Sequence, residues 1–439
     1  MTEQPKPENL SDGVKSEQEA YLRAVEATMS EFFAQQRTLL TAISHDALPL
    51  LEAIESLSSG GKRLRALLSY WGWRGAGGDS ILERSAPTPI IRAGAALELF
   101  QSAALIHDDI IDRSDTRRGK PSVHKKFETQ HIQNSWVGDT FNYGLTGGII
   151  AGDLCLSWSE QMFSSIGEGA LSGTEARNIF DTMRTEVMAG QYLDVLSEVI
   201  PAETPENALA RAHRVIQYKS AKYSCEHPLV LGGALALTAI AHQDHPILGK
   251  YRAFGLPLGE GFQLRDDELG VFGEPSATGK PAGDDIREGK RTVLIALTTQ
   301  NISAEDRRML EGALGNPELT NQQISKIREL MIGYGALEHV EELIAQKSEA
   351  VDTALHALPV SELIRCALSI HPRDSDGILG PDDPHLLDLL IELLIGDQVS
   401  SLRITEIGFF LELISLGRKL GKRPLLLMDH GLRPLHDGR

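Results

Sequence analysis

The sequence predicts an all-α protein, and two patterns support this prediction. Apolar residues recur at three- and four-residue steps along most of the chain, for example at Leu22, Val25, Met29 and Phe32. No segment has the alternation of apolar and polar residues that is typical of β-strands. We therefore expect one bundle of about ten or more helices around a deep cavity, with the chemically important residues at helix ends near its mouth.

The composition limits the class of protein. The 439-residue chain is 41% hydrophobic, which is enough for a substantial core. Its net charge of −18 has the opposite sign from that of a nucleic-acid-binding protein, so we exclude that class. Cys155, Cys225 and Cys366 are far apart in the sequence, which indicates reduced thiols in a cytoplasmic protein. The N-terminus has no apolar signal core, and no run approaches the ~18–20 apolar residues of an integral membrane segment.

The chain begins with a polar segment and continues with a helical stretch. Residues 1–16 are rich in Pro, Glu, Ser and Lys, and we expect them to be disordered. Residues 17–57 have helical periodicity and lead into the connection SSGGKRLR. Its glycine pair permits a phosphate to approach the backbone, and Lys62 and Arg65 begin a new helix whose N-terminus favours an anion. A helix connection with a basic, water-facing first turn is the alternative.

The chain is organised around an acidic motif at the end of a long predicted helix, in the segment FQSAALIHDDIIDRSDTRRG. Asp108 and Asp112 lie one helical turn apart on one face, with Asp109 beside them. Two carboxylates at this spacing repel each other unless a cation is bound, and hard oxygen ligands suit Mg²⁺ with a substrate phosphate. Arg117 and Arg118 add positive charge suited to phosphate. A solvated acidic helix end followed by a basic turn is the alternative.

The same helix carries other candidate residues before the acidic motif. Gln101 lies about two turns before Asp108 on the same side of the helix. Ser102, Ala103 and Ala104 are all small. They indicate either close packing against a neighbouring helix or a channel that is left open beneath the carboxylates.

Two further helices in the middle of the chain carry polar residues on apolar faces. Gln191 and Asp194, in the motif GQYLD, can share a face and form either a satisfied core network or the wall of a site. Lys219 and Ser220 lie in the helical segment VIQYKSAKYSC, where a serine hydroxyl can bend the helix. Surface placement of the lysine is the alternative. Between these elements and the first motif, residues 137–163 predict either close-packed helices or a helix broken by its Gly-Gly pair.

A second acidic cluster follows far along the chain. Asp266 and Asp267 lie in the predicted helix GLPLGEGFQLRDDELGV, with Gln263 one turn before them. A loop rich in Gly and Pro comes next, over residues 273–292, and we expect it to form a lid or rim over a polyanion site. Its charged residues include Lys280, Asp284, Asp285, Lys290 and Arg291. Residues 293–370 return to a helical pattern, and residues 373–439 form a C-terminal extension whose role the sequence does not define.

The motifs GGKRLR, FQSAALIHDDIIDRSDTRRG, GQYLD, YKSAKY, GFQLRDDELGVFG and TGKPAGDDIREGKRT occur in the order typical of one family. With them the chain resembles the trans-isoprenyl diphosphate synthases of the polyprenyl synthetase family, and among these the bacterial geranylgeranyl diphosphate synthases. The resemblance implies an isoprenoid synthase-type helical bundle over residues 17–372, bound Mg²⁺ and a homodimer. The chain departs from the family's DDxxD pattern in the second acidic motif, where Gly270 stands in place of the last aspartate.

The resemblance also implies roles for individual residues. The implied metal ligands are Asp108, Asp112 and Asp266, supported by Asp109 and Asp267. The residues implied to bind isopentenyl diphosphate are Lys62, Arg65, Gln101 and Arg118. Those implied to bind the allylic diphosphate are Arg117, Lys219 and Lys280. Ser220 and Gln263 match positions beside the developing cation, and Gln191 and Asp194 are counted among the substrate-binding residues.

The function implied is the head-to-tail condensation of isopentenyl diphosphate with an allylic diphosphate, which can be dimethylallyl, geranyl or farnesyl diphosphate. In this family, bulky aromatic residues just before the first motif close the floor of the pocket. Ala103 and Ala104 occupy those positions here, so we expect the C20 product geranylgeranyl diphosphate. A longer polyprenyl product, a class I terpene cyclase and a catalytically inactive partner subunit are the alternatives.

Overall fold

The computed structural model describes residues 7–83, 88–200, 204–238, 245–273, 283–300 and 302–369. Within these residues nearly all regular structure is helical, which confirms the predicted all-α class. The helices are α1 (Pro7–Ile43), α2 (Leu48–Ser58), α3 (Leu64–Gly75), α4 (Thr88–Ile111), α5 (Val123–Gln133), α6 (Thr140–Ser164), α7 (Glu175–Val199), α8 (Pro205–Val215), α9 (His227–Leu237), α10 (Pro246–Phe272), α11 (Asp284–Glu288), α12 (Val293–Thr298), α13 (Ala304–Ala313), α14 (Asn321–Gly333), α15 (Ala336–Ala357) and α16 (Glu362–Leu368).

Two short strands, a π-helical segment and two 3₁₀ turns complete this part of the chain. Strands β1 (Thr116–Arg117) and β2 (Lys120–Pro121) pair antiparallel in a small hairpin directly after α4. The segment Ile216–Glu226, which joins α8 to α9, is π-helical and is called the π segment below. Short 3₁₀ turns lie at His45–Ala47 and Glu168–Ala170. The predicted extension, residues 373–439, lies outside the described residues.

Helix α4 lies at the centre of the bundle because its side chains are buried on almost every side. By length and composition it is the one helix in the described residues that could cross a membrane, although the sequence pattern suggested no such run. Its most apolar window is, however, 72% buried inside the protein. This burial is what a core helix of a helical bundle requires.

Glycines let α6 pack closely against α4. A Cβ atom on Gly152 would lie 2.5 Å from Cδ2 of His107, and one on Gly148 would lie 2.8 Å from Cδ1 of Ile110. Helix α6 runs through these glycines without a break, so the sequence alternative of a broken helix is wrong. The small residues instead permit close approach of two helices, which holds the end of α4 in place.

The N-terminal segment differs from the prediction. We expected residues 1–16 to be disordered, but α1 already begins at Pro7, so the prediction is wrong for residues 7–16. Glu17 is buried at this end of α1 and accepts hydrogen bonds from the Tyr70 hydroxyl and from Nε of Arg74, at 2.5 and 2.6 Å. This polar anchor makes the segment part of the fold despite its hydrophilic composition.

Candidate active site

The first acidic motif lies at the accessible side of α4. Gln101, Ala104, Leu105, Asp108 and Asp112 are partly exposed, whereas most of the other residues of the helix are buried. Spacings of three, four and seven residues place these five on one face of the helix. One face of a core helix is therefore open, and it leads from Gln101 to the carboxylates, as the channel interpretation predicts. Ser102 and Ala103 lie outside this face and are buried, which fits close packing.

The hairpin after α4 returns two arginines toward the site. Arg118 and Gly119 form its two-residue turn with φ values of 53° and 70°, the left-handed geometry that such tight hairpins favour. Arg117 precedes the turn, and its guanidinium donates to Oδ1 of Asp109 at 2.5 and 2.9 Å and lies 3.4 Å from Oδ2 of Asp108. Asp109 is fully buried, so this charge pair fixes the start of the hairpin against the end of α4.

Lys219 of the π segment faces the first motif from the opposite wall. Its ammonium donates to Oδ2 of Asp194 at 2.5 Å and lies 3.6 Å from Oδ1 of Asp108. The Gln191 amide lies 3.3 Å from the same Asp108 oxygen. Burial lowers the pKa of Lys219, but the carboxylates of Asp194 and Asp108 raise it more, so it stays charged. Gln191 and Asp194 therefore form a wall of the site, and the surface alternative for Lys219 is wrong.

The second acidic motif is on α10, one turn before its end. The amide nitrogen of Gln263 donates to Asp267 at 2.8 Å and to Asp266 at 3.2 Å. Asp267 is buried and Asp266 is exposed. Burial, and then the negative charge of Asp285, raise the pKa of Asp267 well above its usual range.

Lys290 connects the surroundings of the two motifs. Its ammonium lies 3.8 Å from Asp112 of α4, 3.4 Å from Asp285 of α11 and 2.7 Å from Glu288. Burial lowers the pKa of Lys290, but the three carboxylates outweigh burial and raise it well above its usual range. One largely buried cation thus holds a carboxylate of the first motif beside two carboxylates of α11, and its charge also acts on Asp267 of the second motif.

The space left by Gly270 is occupied by another carboxylate. A Cβ atom on Gly270 would lie 2.5 Å from Cγ of Asp285. The missing last aspartate of the second motif is therefore matched by a carboxylate that arrives from α11. The close approach is possible only because residue 270 has no side chain.

A basic group lies on the other side of Arg117. The Arg118 guanidinium packs against the glycine pair of the turn before α3, and a Cβ on Gly60 would lie 3.1 Å from its Nη1. Burial, and then the charges of Arg63 and Arg117, lower the pKa of Arg118. A group of cations that repel one another in this way would be stabilised by an anion.

Arg65 and Gln101 are joined through Tyr223 of the π segment. The Arg65 guanidinium lies 4.2 Å from the centre of the Tyr223 ring and donates to Oγ of Ser224 at 2.6 Å. The Tyr223 hydroxyl donates to Oε1 of Gln101 at 2.6 Å. The structure thereby brings together two residues that the sequence placed in the isopentenyl diphosphate site.

Three further residues that the sequence predicted for the site are Lys62, Ser220 and Lys280. Lys62 is half-buried in the glycine turn, next to the basic group. Ser220 is half-buried beside Lys219. Lys280 lies outside the described residues, as do residues 274–282 of the predicted lid. The described part of the lid contains the short helix α11.

Sequence reasoning placed Asp285 and Lys290 in the loop expected over the site, but it assigned them no contact partners. It missed Tyr223, the aromatic residue that ends the motif YKSAKY. The contacts across the cavity, which join Lys290 to Asp112 and Tyr223 to Gln101, depend on packing that local sequence does not encode.

The residues of the two motifs fit a divalent metal ion that is shared with a ligand. Burial, and then the neighbouring Asp108 carboxylate, raise the pKa of Asp112 to about 7, as expected of crowded carboxylates that lack a bound cation. Within the described part of the chain, no three His, Cys, Asp or Glu side chains lie close enough to hold a metal unaided. A metal here would need oxygen atoms of a ligand to complete its coordination shell.

Comparisons with known proteins show the family of this chain. A model of the polyprenyl synthetase family matches residues 49–331. Geranylgeranyl diphosphate synthase from Saccharolobus solfataricus is 30% identical over 307 residues, which cover 69% of this chain and 82% of that protein. Geranylfarnesyl diphosphate synthase from Aeropyrum pernix is 28% identical over 293 residues, which cover 66% of this chain and 81% of that protein.

A solved structure is similar over most of the chain. The crystal structure of geranylgeranyl pyrophosphate synthase from Corynebacterium glutamicum, complexed with isoprenyl diphosphate and magnesium, aligns with a TM-score of 0.71 and 36% sequence identity. The alignment covers 79% of this chain and 96% of that one. Fold, site and likeness together define an isoprenyl diphosphate synthase. The chain belongs to the polyprenyl synthetase family, and it is a trans-prenyltransferase.

The contact between Gly270 and Asp285 leads to a test by mutation. We expect Gly270→Ala to lower the free energy of unfolding by about 1–3 kcal/mol, because the new methyl group must displace the Asp285 carboxylate. Removal of that carboxylate in the double variant Gly270→Ala/Asp285→Ala should recover part of the loss. Thermal and urea unfolding of both single variants and the double variant measure the coupling, and additive losses would contradict the contact.

Proposed function

We propose that this chain is a magnesium-dependent prenyltransferase that condenses isopentenyl diphosphate with an allylic diphosphate, head to tail, and that its main product is geranylgeranyl diphosphate. The observation that carries the proposal is the two-sided site. Carboxylates and Lys219 line one side, and Arg65 and Arg118 line the other, with the open face of α4 between them. Two anionic substrates with different requirements can bind side by side in such a site.

In this proposal the acidic side binds the allylic diphosphate. Asp108, Asp112 and Asp266 would hold Mg²⁺, with Asp109 and Asp267 supporting them. The metal, when bound, neutralises charge that accumulates on the departing diphosphate. Arg117 and Lys219 contribute fixed positive charge from the two walls, and Lys280 is proposed to add to it. The Corynebacterium relative, solved with isoprenyl diphosphate and magnesium, supports this assignment.

The basic side binds isopentenyl diphosphate in this proposal. Arg118 and Lys62 lie at the glycine turn, whose backbone a phosphate can approach closely. Arg65 is held by Tyr223 and Ser224, so its guanidinium is already oriented before the substrate arrives. Gln101 is tied to the same tyrosine at the start of the open face.

The reaction breaks the allylic carbon–oxygen bond, and the double bond of isopentenyl diphosphate then attacks the allylic carbon. The open face of α4 offers Ala104 and Leu105 as apolar walls that keep water from the positive charge. The amide nitrogen of Gln263 is occupied by the two aspartates, so its carbonyl oxygen is the atom able to face that charge, together with Oγ of Ser220. The departing diphosphate accepts the proton released at the end.

Histidine chemistry is not part of this proposal. His107 stands next to Asp108, but its ring faces α6, where Nε2 lies 3.4 Å from the carbonyl oxygen of Ile149 and 3.7 Å from Asp153. The imidazole therefore packs between helices rather than against the substrates. Cys155, Cys225 and Cys366 form no disulfide in the described part of the chain, which supports a reducing, cytoplasmic environment.

Activity is tested by incubation of the protein with Mg²⁺, isopentenyl diphosphate and farnesyl diphosphate. We expect an elongated product, no product after the metal is chelated, and a ~10²–10³-fold lower kcat for Asp108→Asn, since charge stabilisation at the leaving group is lost. The matched control is Asp153→Asn, an exposed aspartate of α6, which should retain activity. A cyclic hydrocarbon would favour a terpene cyclase instead, and absence of any product would favour an inactive partner subunit.

Chain length is proposed to depend on Ala104, which is on the open face while Ala103 is buried beside it. Ala104→Phe should shift products toward C15, because an aromatic ring would fill the space into which the growing chain extends. Chromatography of products made from geranyl diphosphate measures the shift. Ala253→Phe, an exposed position of α10, is the control. An unchanged product distribution in Ala104→Phe would contradict this role.

A homodimer is also proposed, through the outer face of α6. Phe141 and Ile149 lie about two turns apart on one side of this helix and are 58% and 47% exposed, and Val137 just before the helix is 96% exposed. Apolar side chains gathered on one face of a protein surface favour association.

Light scattering after size-exclusion chromatography should give a mass of about two chains for the dimer, and Ile149→Glu should give one chain, since a buried unpaired charge is costly. The control is Val199→Glu, which places a charge at an exposed valine of α7 and should leave the dimer intact. A monomeric wild type would exclude the dimer.

A further inference from the structure

The π segment carries residues of both sides of the site. Lys219 near its start contacts Asp194 and Asp108, while Tyr223 and Ser224 near its end hold Arg65 and Gln101. Uninterrupted π-helical structure over Ile216–Glu226 is unusual, since π-helical geometry is ordinarily limited to single turns. Something outside the segment must therefore stabilise this backbone.

Glycines of two neighbouring helices lie directly against the backbone of the π segment. A Cβ atom on Gly190 of α7 would lie 2.7 Å from the carbonyl carbon of Tyr218 and 2.8 Å from Cα of Lys219. At the other end of the π segment, a Cβ atom on Gly255 of α10 would lie 2.8 Å from Cα of Glu226.

A third glycine supports the middle of the segment. A Cβ atom on Gly259 of α10 would lie 2.5 Å from Cα of Ala221 and 2.6 Å from its carbonyl oxygen. Ala221 is fully buried at this point, so the segment is enclosed between α7 and α10 along its length.

All the atoms that these glycines meet belong to backbone. A side chain can rotate away from a new methyl group, but a backbone packed between two helices can only shift as a whole. The three glycines therefore fix where the π segment lies relative to α7 and α10. A shift of its start moves Lys219, and a shift of its end moves Tyr223 and Ser224.

We propose that Gly190 and Gly255 are positioning residues, which set the two ends of the π segment for two different substrates. Gly190 places Lys219 for the allylic diphosphate, and Gly255 places Ser224 and Tyr223, and through them Arg65, for isopentenyl diphosphate. Gly259 holds the middle and affects both. The substrate assignment in this inference rests on the proposed function.

Two other glycines of the chain provide matched controls. Gly232 of α9 packs on backbone of α3, where its Cβ would lie 2.6 Å from the carbonyl carbon of Ser69, away from the π segment. Alanine there creates the same kind of clash, but the backbone that must move belongs to α3, which carries Arg65, and not to the π segment that carries Lys219. Gly249 of α10 has open space around it, so alanine is accommodated there.

The test compares the alanine variants at Gly190, Gly255, Gly232 and Gly249 in the full chain, by melting temperature and by KM for each substrate separately. Gly190→Ala should raise KM for the allylic diphosphate ~10-fold or more and lower kcat, since small displacements of a positioning group are costly, with KM for isopentenyl diphosphate little changed. Gly255→Ala should raise KM for isopentenyl diphosphate, with KM for the allylic diphosphate little changed. Gly232→Ala should lower the melting temperature with KM for the allylic diphosphate unchanged, and Gly249→Ala should resemble wild type.

The proposal is overturned if Gly190→Ala and Gly255→Ala change the two KM values in parallel, or only lower the melting temperature. If Gly190→Ala does not fold, two other variants still test the proposal. Gly255→Ala should raise KM for isopentenyl diphosphate alone, and Gly259→Ala should raise KM for both substrates. Failure of all three to fold, while Gly232→Ala folds, would also overturn it, since these glycines would then serve folding alone.

A second measurement separates this inference from the proposed function. If wild type elongates no substrate, the proposed function fails, and calorimetric titration with Mg²⁺ and inorganic pyrophosphate then tests the positioning of Lys219. Pyrophosphate should bind ~10-fold or more weakly to Gly190→Ala than to Gly232→Ala. Equal affinities in the two variants would overturn the role of Gly190 independently of any catalysis.

Discussion

The constraint on which this structure depends is the gathering of carboxylates around two largely buried lysines. Lys219 holds Asp194 and Asp108 from two helices, and Lys290 reaches Asp112 and the carboxylates of α11. Without these cations the acidic side chains would repel one another and the walls of the cavity would separate. The carboxylates in turn raise the pKa of each lysine and keep it charged. Neither the lysines nor the carboxylates would therefore be stable in this position alone.

Close helix packing is the second condition, and glycine supplies it in several places. Gly152 lets α6 approach His107 behind the acidic motif, Gly270 leaves space for the Asp285 carboxylate, and Gly190 lets α7 reach the π segment. Charged groups that must meet across a cavity need walls placed to within a fraction of an ångström. Backbone-to-backbone contact gives that accuracy, because it leaves no side-chain torsion free to absorb an error.

The sequence predicted what depends on local periodicity and motif spacing. Helical phase alone places Gln101, Asp108 and Asp112 on one face of α4, and the structure has them there. Phase cannot tell how distant elements meet, so the contact of Lys290 with Asp112 was not foreseen. Composition suggested disorder before residue 17, but a single buried carboxylate, Glu17, holds that end of α1 in the fold.

In the proposed function, the charges of the two sides let one site treat two diphosphates differently. On the acidic side, burial and then the Asp108 carboxylate raise the pKa of Asp112 to about 7, and a bound metal would favour its ionised form. On the basic side, burial and then the charges of Arg63 and Arg117 lower the pKa of Arg118, and a bound anion would favour its charged form. Arg117 lies between the acidic side and the basic side, and its charge is already paired with Asp109. The proposal thus directs the substrate that must lose its diphosphate to the side where a metal would neutralise the leaving group, and the substrate that must keep its diphosphate to the arginines.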